Sequence, residues 1–108
     1  MKEGLVKNIG ICNFNISLIR DLMAGATIKP SVLQVELHPY LTQKELVEYC
    51  KMNEIKMTSF STFGGASYVE LTMAKEDESL LNNETIKSIA DKNQKTPGQV
   101  LLRWAVQQ

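Results

Sequence analysis

The chain has 108 residues, 44% of them hydrophobic, which suffices for one domain with one core and makes a second domain unexpected. Its 12 basic and 12 acidic side chains balance to a formal net charge of zero. With no block of like charge, nothing draws the chain to nucleic acid or to an anionic membrane, so its ligand has to be recognised by a local set of residues.

Two cysteines, Cys12 and Cys50, lie far apart without ligand-type spacing, and a disulfide framework is not expected. No apolar run approaches the roughly 20 residues that span a bilayer. No apolar secretory stretch opens the sequence, so the expected setting is a reducing cytoplasm. The sequons Asn15-Ile16-Ser17 and Asn83-Glu84-Thr85 then read as coincidental.

In chain order, residues 6–11 read as a buried strand. From Ile16 the apolar residues Leu18, Ile19, Leu22 and Met23 recur three and four apart, the stripe of an amphipathic helix. After Gly25 and Pro30, residues 32–37 form a second strand. Thr42-Gln43-Lys44-Glu45 has the spacing of a capping box and opens a helix with Leu46, Val47 and Cys50 inward. Residues 55–60 make a third strand, followed at 61–79 by a loop too long for a simple connection and expected to cover something. Asn83 or a neighbour caps a helix with Ile86, Ile89 and Ala90 inward. Thr96-Pro97-Gly98-Gln99 caps a last helix with Val100, Leu101, Trp104 and Ala105 on one side. Trp104 and the methionines read as core.

Strand starts at 6, 32 and 55 give a strand-helix rhythm, which implies parallel strands joined by crossovers and hence an α/β fold of about three parallel strand-helix units. Each strand begins apolar and ends polar or aromatic, at Cys12-Asn13-Phe14, at His38-Pro39-Tyr40 and at Ser61-Thr62-Phe63-Gly64, as strands do when their carboxyl ends share a ligand site. Three strands close no (β/α)8 barrel, which needs about 250 residues. A small open sheet is the competing geometry.

The segments G-L-V-K-N-I-G-I-C-N-F-N, K-P-S-V-L-Q-V-E-L-H-P-Y-L-T-Q, F-S-T-F-G and K-T-P-G-Q-V-L-L-R-W-A together resemble the aldo-keto reductases, most closely the xylose reductase-like members of yeasts and related fungi. The resemblance covers essentially the whole chain. It implies a partial (β/α)8 TIM barrel: residues 1–108 form a single segment holding the fifth to seventh strands, with the N-terminal half and the last strand absent. It also implies NAD(P)H-dependent reduction of an aldehyde or ketone, with hydride passing from nicotinamide to the carbonyl carbon and a tyrosine hydroxyl supplying the proton. The family's aspartate, tyrosine, lysine and histidine have no counterpart here, since His38 and Tyr40 belong to another motif. No catalytic residue is therefore assigned, and the chain alone is expected to be inactive.

The resemblance gives cofactor-binding positions residue by residue. Asn13 and Gln34 match the pair that binds the nicotinamide carboxamide, and their amides offer the donor and acceptor that group needs. Phe60 matches the aromatic ring stacked on the nicotinamide. Ser61 begins the segment that meets the pyrophosphate, and Thr62, Phe63 and Gly64 resemble the start of the loop folding over the cofactor. Cys12 stands where the family usually has serine, and a thiol is the weaker hydrogen-bond donor. The cofactor is NADPH or NADH, undecided because the determinants lie beyond Gln108. The partners implied are that dinucleotide and a small carbonyl substrate.

The residues by themselves admit other readings. Asn13 before a helix is as well suited to capping as to ligand contact. Gln34, inside an apolar run, needs a partner if it is buried. Glu36 and His38 lack a third ligand for a metal site, and the histidine is expected to satisfy polar groups beneath the site with Glu36 as partner. Cys12 as a nucleophile lacks an identifiable base. Two further functional readings stay open. One is a non-catalytic nucleotide-binding or interaction fragment that self-associates through unpaired strand edges; the other is an unrelated α/β protein using Cys12 or His38.

Overall fold

The structure, a computed structural model, describes Met1 and residues 3–108, without the side chains of Ala66, Ser67 and Asp77. In chain order the elements are β1 (Gly10–Cys12), α1 (Ile16–Gly25), β2 (Val32–Glu36), α2 (Lys44–Met52), β3 (Lys56–Phe60) and the short α3 (Ala66–Glu70). Two single-turn 3-10 helices follow at Glu76–Glu78 and Leu80–Asn82, then α4 (Glu84–Lys92) and α5 (Pro97–Val106). Among the described residues no helix is long and apolar enough to cross a membrane. The chain divides into two compact units, Met1–Val35 with Gln43–Phe60, and Glu36–Thr42 with Ser61–Gln108.

The first unit is a strand-helix repeat on a three-stranded sheet in the order β1-β2-β3. β1 and β2 run parallel, with Gly10 opposite Val32, Ile11 opposite Leu33 and Cys12 opposite Gln34. Ser31 fastens the start of β2 on both sides, its N–H donating to the Ile9 carbonyl (2.8 Å) and its carbonyl accepting from Lys56 N–H (2.9 Å). Strand alternation turns Leu33 and Val35 inward and Gln34 outward. Leu33 and Val35 form the core with Ile19, Leu46, Val47, Cys50 and Ile55.

Two expectations change in this unit and one open alternative closes. The strand expected at 6–11 is only three residues long and is not buried, with Val6 and Ile9 exposed. As an edge strand β1 has one hydrogen-bonding neighbour, and the run before it is joined to β2 only at its end, through the Ile9 carbonyl and the Asn8 side chain on Ser31 among the hydrogen bonds described. Asn13 does not cap α1; Asn15 does, its Oδ1 accepting from Leu18 N–H at 2.9 Å. The Thr42–Glu45 capping box does not form, because the chain enters α2 through Gln43 at φ 50°, which becomes the N-cap with no side-chain cap bond.

The second unit packs α4, α5 and the Leu80–Asn82 turn around Leu80, Ala90 and Leu101, which are all within 1% of full burial. Its helix starts follow the sequence. Asn83 Oδ1 accepts from the N–H groups of Thr85 and Ile86, and Thr96 and Gln99 form a reciprocal capping box with Pro97 at the first turn. Both sequon asparagines are thus helix N-caps. α2 and α4 end alike: the residue after Asn53 or Asn93 turns left-handed, at Glu54 (φ 59°) and Gln94 (φ 53°). The next N–H then reaches back to the Cys50 or Ala90 carbonyl at 2.9 Å. Ile89, expected inward, is 42% exposed, and of the methionines expected as core Met52 and Met73 are more than 70% exposed. A flexible unbranched side chain at a helix end or in a loop has no fixed apolar wall to fill.

Candidate cofactor-facing site

In the first unit the sheet register brings together three of the expected residues. Cys12 and Gln34 are paired across β1 and β2, and the next residue, Asn13, donates its backbone N–H to the Gln34 carbonyl at 2.9 Å. Asn13 sits at φ 55°, a left-handed conformation that asparagine tolerates better than most residues, and it ends the strand. Cys12, Asn13 and Gln34 are exposed, so both amides are open to a ligand, and Gln34 does not need the partner it would need if it were buried. Phe60, the last residue of β3, is half-buried. Cys50, on the inner face of α2, is buried, and burial pushes its thiol pKa up.

In the second unit Ser61–Gly64 forms a tight turn closed by Gly64 N–H donating to the Ser61 carbonyl at 2.8 Å. Ser61 is left-handed at φ 50°, a second strained position directly after a strand. Gly64 is buried at φ +54°, and a Cβ placed on it would lie 2.5 Å from Leu80 Cδ1, so only glycine fits. Phe63 turns its ring toward the backbone of Gly98, with Cε1 3.7 Å from where a Cβ would stand, so the ring packs on the start of α5.

Glu36 and His38 pair as expected, His38 Nε2 standing 3.0 Å from Glu36 Oε1. With Nε2–H donating to the carboxylate, Nδ1 is left buried without a hydrogen-bond partner. His38 and Leu41 exchange backbone hydrogen bonds around Pro39-Tyr40 in a tight turn. Among the described residues no three of His, Cys, Asp and Glu are grouped to hold a metal ion.

One participant was not legible in the sequence. Tyr68, on α3, donates its hydroxyl to the second oxygen of Glu36 at 3.1 Å, giving a chain Tyr68–Glu36–His38. Nothing in its neighbourhood of the sequence sets this tyrosine apart, because its partner lies 32 positions away. The hydrogen bond to Glu36 raises the Tyr68 pKa above 10.0, the carboxylate's charge and some desolvation add to the rise, and the Ser61 hydroxyl opposes it. Because the folded value lies above the unfolded one, the linked stability is present below the unfolded pKa and is lost as pH climbs through the folded one. An alkaline absorbance titration of the phenols is expected to show a late step that vanishes in Tyr68→Phe and moves to lower pH in Glu36→Gln. A late step that persists in Tyr68→Phe would contradict the assignment.

The sequence matches the family model described as Aldo/keto reductase family over residues 1–108. It is 53% identical over 104 residues to 4-dihydromethyl-trisporate dehydrogenase of Mucor mucedo, covering 95% of this chain and 32% of that protein. It is 52% identical over 109 aligned positions to the NAD(P)H-dependent D-xylose reductase I,II of Candida tropicalis, covering 99% of this chain and 34% of that one. Among solved structures, an aldo-keto reductase enzyme from a Medee basin deep-sea metagenome library matches with a TM-score of 0.83 and 37% identity, over 98% of this chain and 36% of the other. The chain thus spans about a third of the length of the curated relatives it matches. Its parallel strands and helices correspond to part of a TIM barrel. With the family model matched from end to end, the chain belongs to the aldo/keto reductase family.

Proposed function

We propose that the chain is the cofactor-facing part of an NAD(P)H-dependent carbonyl reductase of the aldose or xylose type, carrying nicotinamide-binding positions and no catalytic group of its own. The observation that carries this reading is the register of β1 on β2, which sets the thiol of Cys12 and the amides of Asn13 and Gln34 at one end of one sheet. Two exposed amides there fit a carboxamide, which needs a donor and an acceptor in return. The Phe60 ring offers a face for stacking, and the Ser61–Gly64 turn offers a hydroxyl and backbone N–H groups to phosphate oxygens. The dinucleotide supplies the hydride when bound; these residues hold and orient it. A proton donor with its lysine partner is not assigned to any residue here, so general acid catalysis has no agent and the isolated chain is proposed to be inactive.

The partners proposed are NADPH or NADH and a small aldehyde or ketone. The proposed setting is the cytoplasm, where free thiols such as the exposed Cys12 persist. The test is titration of the chain with NADPH and with NADH, followed by nicotinamide fluorescence. Weak binding is expected, and Phe60→Ala should weaken it by the loss of one stacking contact, about 1–3 kcal/mol for a base on an aromatic ring. Turnover of an aldehyde by the chain alone, abolished by Phe60→Ala, would overturn the inactivity.

A second reading, a non-catalytic fragment that associates through strand edges, is favoured by β1, which among the described residues pairs only with β2 and is preceded by the exposed Val6 and Ile9. Binding of neither nucleotide at millimolar concentration, together with concentration-dependent self-association, would decide for it.

A further inference from the structure

The sequence holds no block of like charge, yet the fold makes one. At the amino ends of the strands Ser31 is a hub: its N–H donates to the Ile9 carbonyl, its carbonyl accepts from Lys56 N–H, and its hydroxyl donates to Asn8 Oδ1 at 3.2 Å. Lys7 is the chain neighbour of Asn8, Lys29 stands two residues before Ser31, and Lys56 is bonded to Ser31 directly. Three lysines far apart in sequence are thus gathered around one serine. All three are exposed, and among the described residues none forms a salt bridge. The acids within four residues of them, Glu3 and Glu54, are exposed and form none either.

These groups donate rather than accept. An ammonium has no lone pair to offer, and with its oxygen engaged by Ser31 the Asn8 amide keeps the two N–H groups of Nδ2. Beside them stand exposed apolar side chains: Val6 and Ile9 flank Lys7-Asn8 in the chain, and Ile28 precedes Lys29. Unpaired cations, amide donors and apolar side chains in one patch fit a ligand that carries carboxylates and apolar groups together. A bare polyanion would leave the apolar side chains in water. A second copy is a poor occupant, because an isologous contact sets the three lysines against their own like charge. Neighbouring strands lie about 4.8 Å apart, so the lysines span about 10 Å of backbone, roughly three residues of an extended peptide.

We propose that this end of the sheet, with Lys7, Asn8, Lys29 and Lys56 beside Val6, Ile9 and Ile28, docks an extended acidic peptide segment of another protein, one with carboxylates about three residues apart and apolar side chains between them. The docking surface goes beyond the cofactor-facing reading and does not depend on it, because Cys12, Asn13 and Gln34 stand toward the opposite, carboxyl ends of the strands.

The test is fluorescence anisotropy of a labelled, end-blocked peptide, Glu-Leu-Asp-Glu-Ile-Asp, titrated with the whole chain. Saturable binding is expected at about 50 mM salt and should fall steeply by about 500 mM, as screening shortens the reach of the charges. Changing Lys7→Ala, Lys29→Ala and Lys56→Ala together should weaken it about tenfold, the scale of three exposed ion pairs, and leave the unfolding midpoint in place. Lys87→Ala, whose lysine already pairs with Glu84 in the other unit, should bind as the original chain does. A peptide with amides in place of its acids should bind about tenfold more weakly, and one with serine in place of its leucine and isoleucine should also lose affinity. No binding, equal binding of the acidic and amide peptides, or a triple variant that binds like the original overturns the proposal. Undiminished binding of the serine peptide means a bare polyanion site and overturns the class of partner. Dimerisation in sedimentation that the triple variant loses gives the patch to a second copy, and binding to phosphatidylserine vesicles but not to the peptide gives it to a membrane; either overturns the proposal.

Discussion

Gly64→Ala is expected to destabilise the chain by about 2–5 kcal/mol, combining about 1–2 for an alanine forced into left-handed backbone with about 1–3 for overpacking. The overpacking arises because the new Cβ would lie 2.5 Å from Leu80 Cδ1 and 2.8 Å from Cγ, and Leu80 is itself 1% exposed with nowhere to retreat. Leu80→Ala alone should cost about 2–5 kcal/mol as a cavity in the core of its unit. The two costs are not independent. In the Leu80→Ala background the added methyl meets no leucine, so Gly64→Ala should cost only the backbone portion, about 1–2 kcal/mol. A double-mutant cycle by denaturant unfolding is therefore expected to give a coupling of about 1–3 kcal/mol. Additive losses would mean that the backbone conformation alone, and not Leu80, demands glycine at this position.

The second large effect distinguishes two neighbours on one helix. Ile19→Ala should cost about 2–5 kcal/mol, because Ile19 is fully buried, whereas Leu18→Ala at 47% exposure should stay within about 1 kcal/mol. Against a total stability of about 5–15 kcal/mol for a domain, the first loss is large enough to populate unfolded chain and the second is not. Equal shifts in the unfolding midpoint would show that α1 buries a broader face than the structure gives it.

That contrast also marks how far the sequence could be read. Periodicity places Leu18 and Ile19 on one stripe, and adjacent helix positions differ by only about 100°, so a wide stripe includes a residue at its margin that the sheet never reaches. The strand-helix order, the Thr96 and Asn83 caps and the Glu36–His38 pair were all legible, since each depends on residues within a few positions of one another. The length of β1 was not. The apolar residues before Gly10 look like a strand, yet a strand is defined by its neighbours, and β1 has one. Thr42-Gln43-Lys44-Glu45 carried the right letters for a capping box, but the left-handed entry at Gln43 moved the cap by one residue. Asn13 was undecided between cap and ligand contact, and the structure removes the first, because Asn15 takes the cap and Asn13 bonds Gln34 across the sheet. Tyr68 was invisible for the opposite reason to Glu36: its hydroxyl has meaning only through a partner 32 residues away.

The two units are interleaved along the chain, and this bears on the order in which they can form. Synthesis reaches Phe60 with every residue of the first unit already present. Residues 36–42 by then stand as an excursion with only their own internal contacts, since Tyr68 and Asn83 lie still further on. Closing those contacts means joining ends 32 and 43 positions apart, a loop cost that grows only slowly with length but must be met before the contacts repay it. A nascent chain stalled at Phe60 can therefore hold a complete sheet while Glu36 and Tyr40 wait for Tyr68 and Asn83, and the residues after Phe60 arrive to finish a turn laid down much earlier.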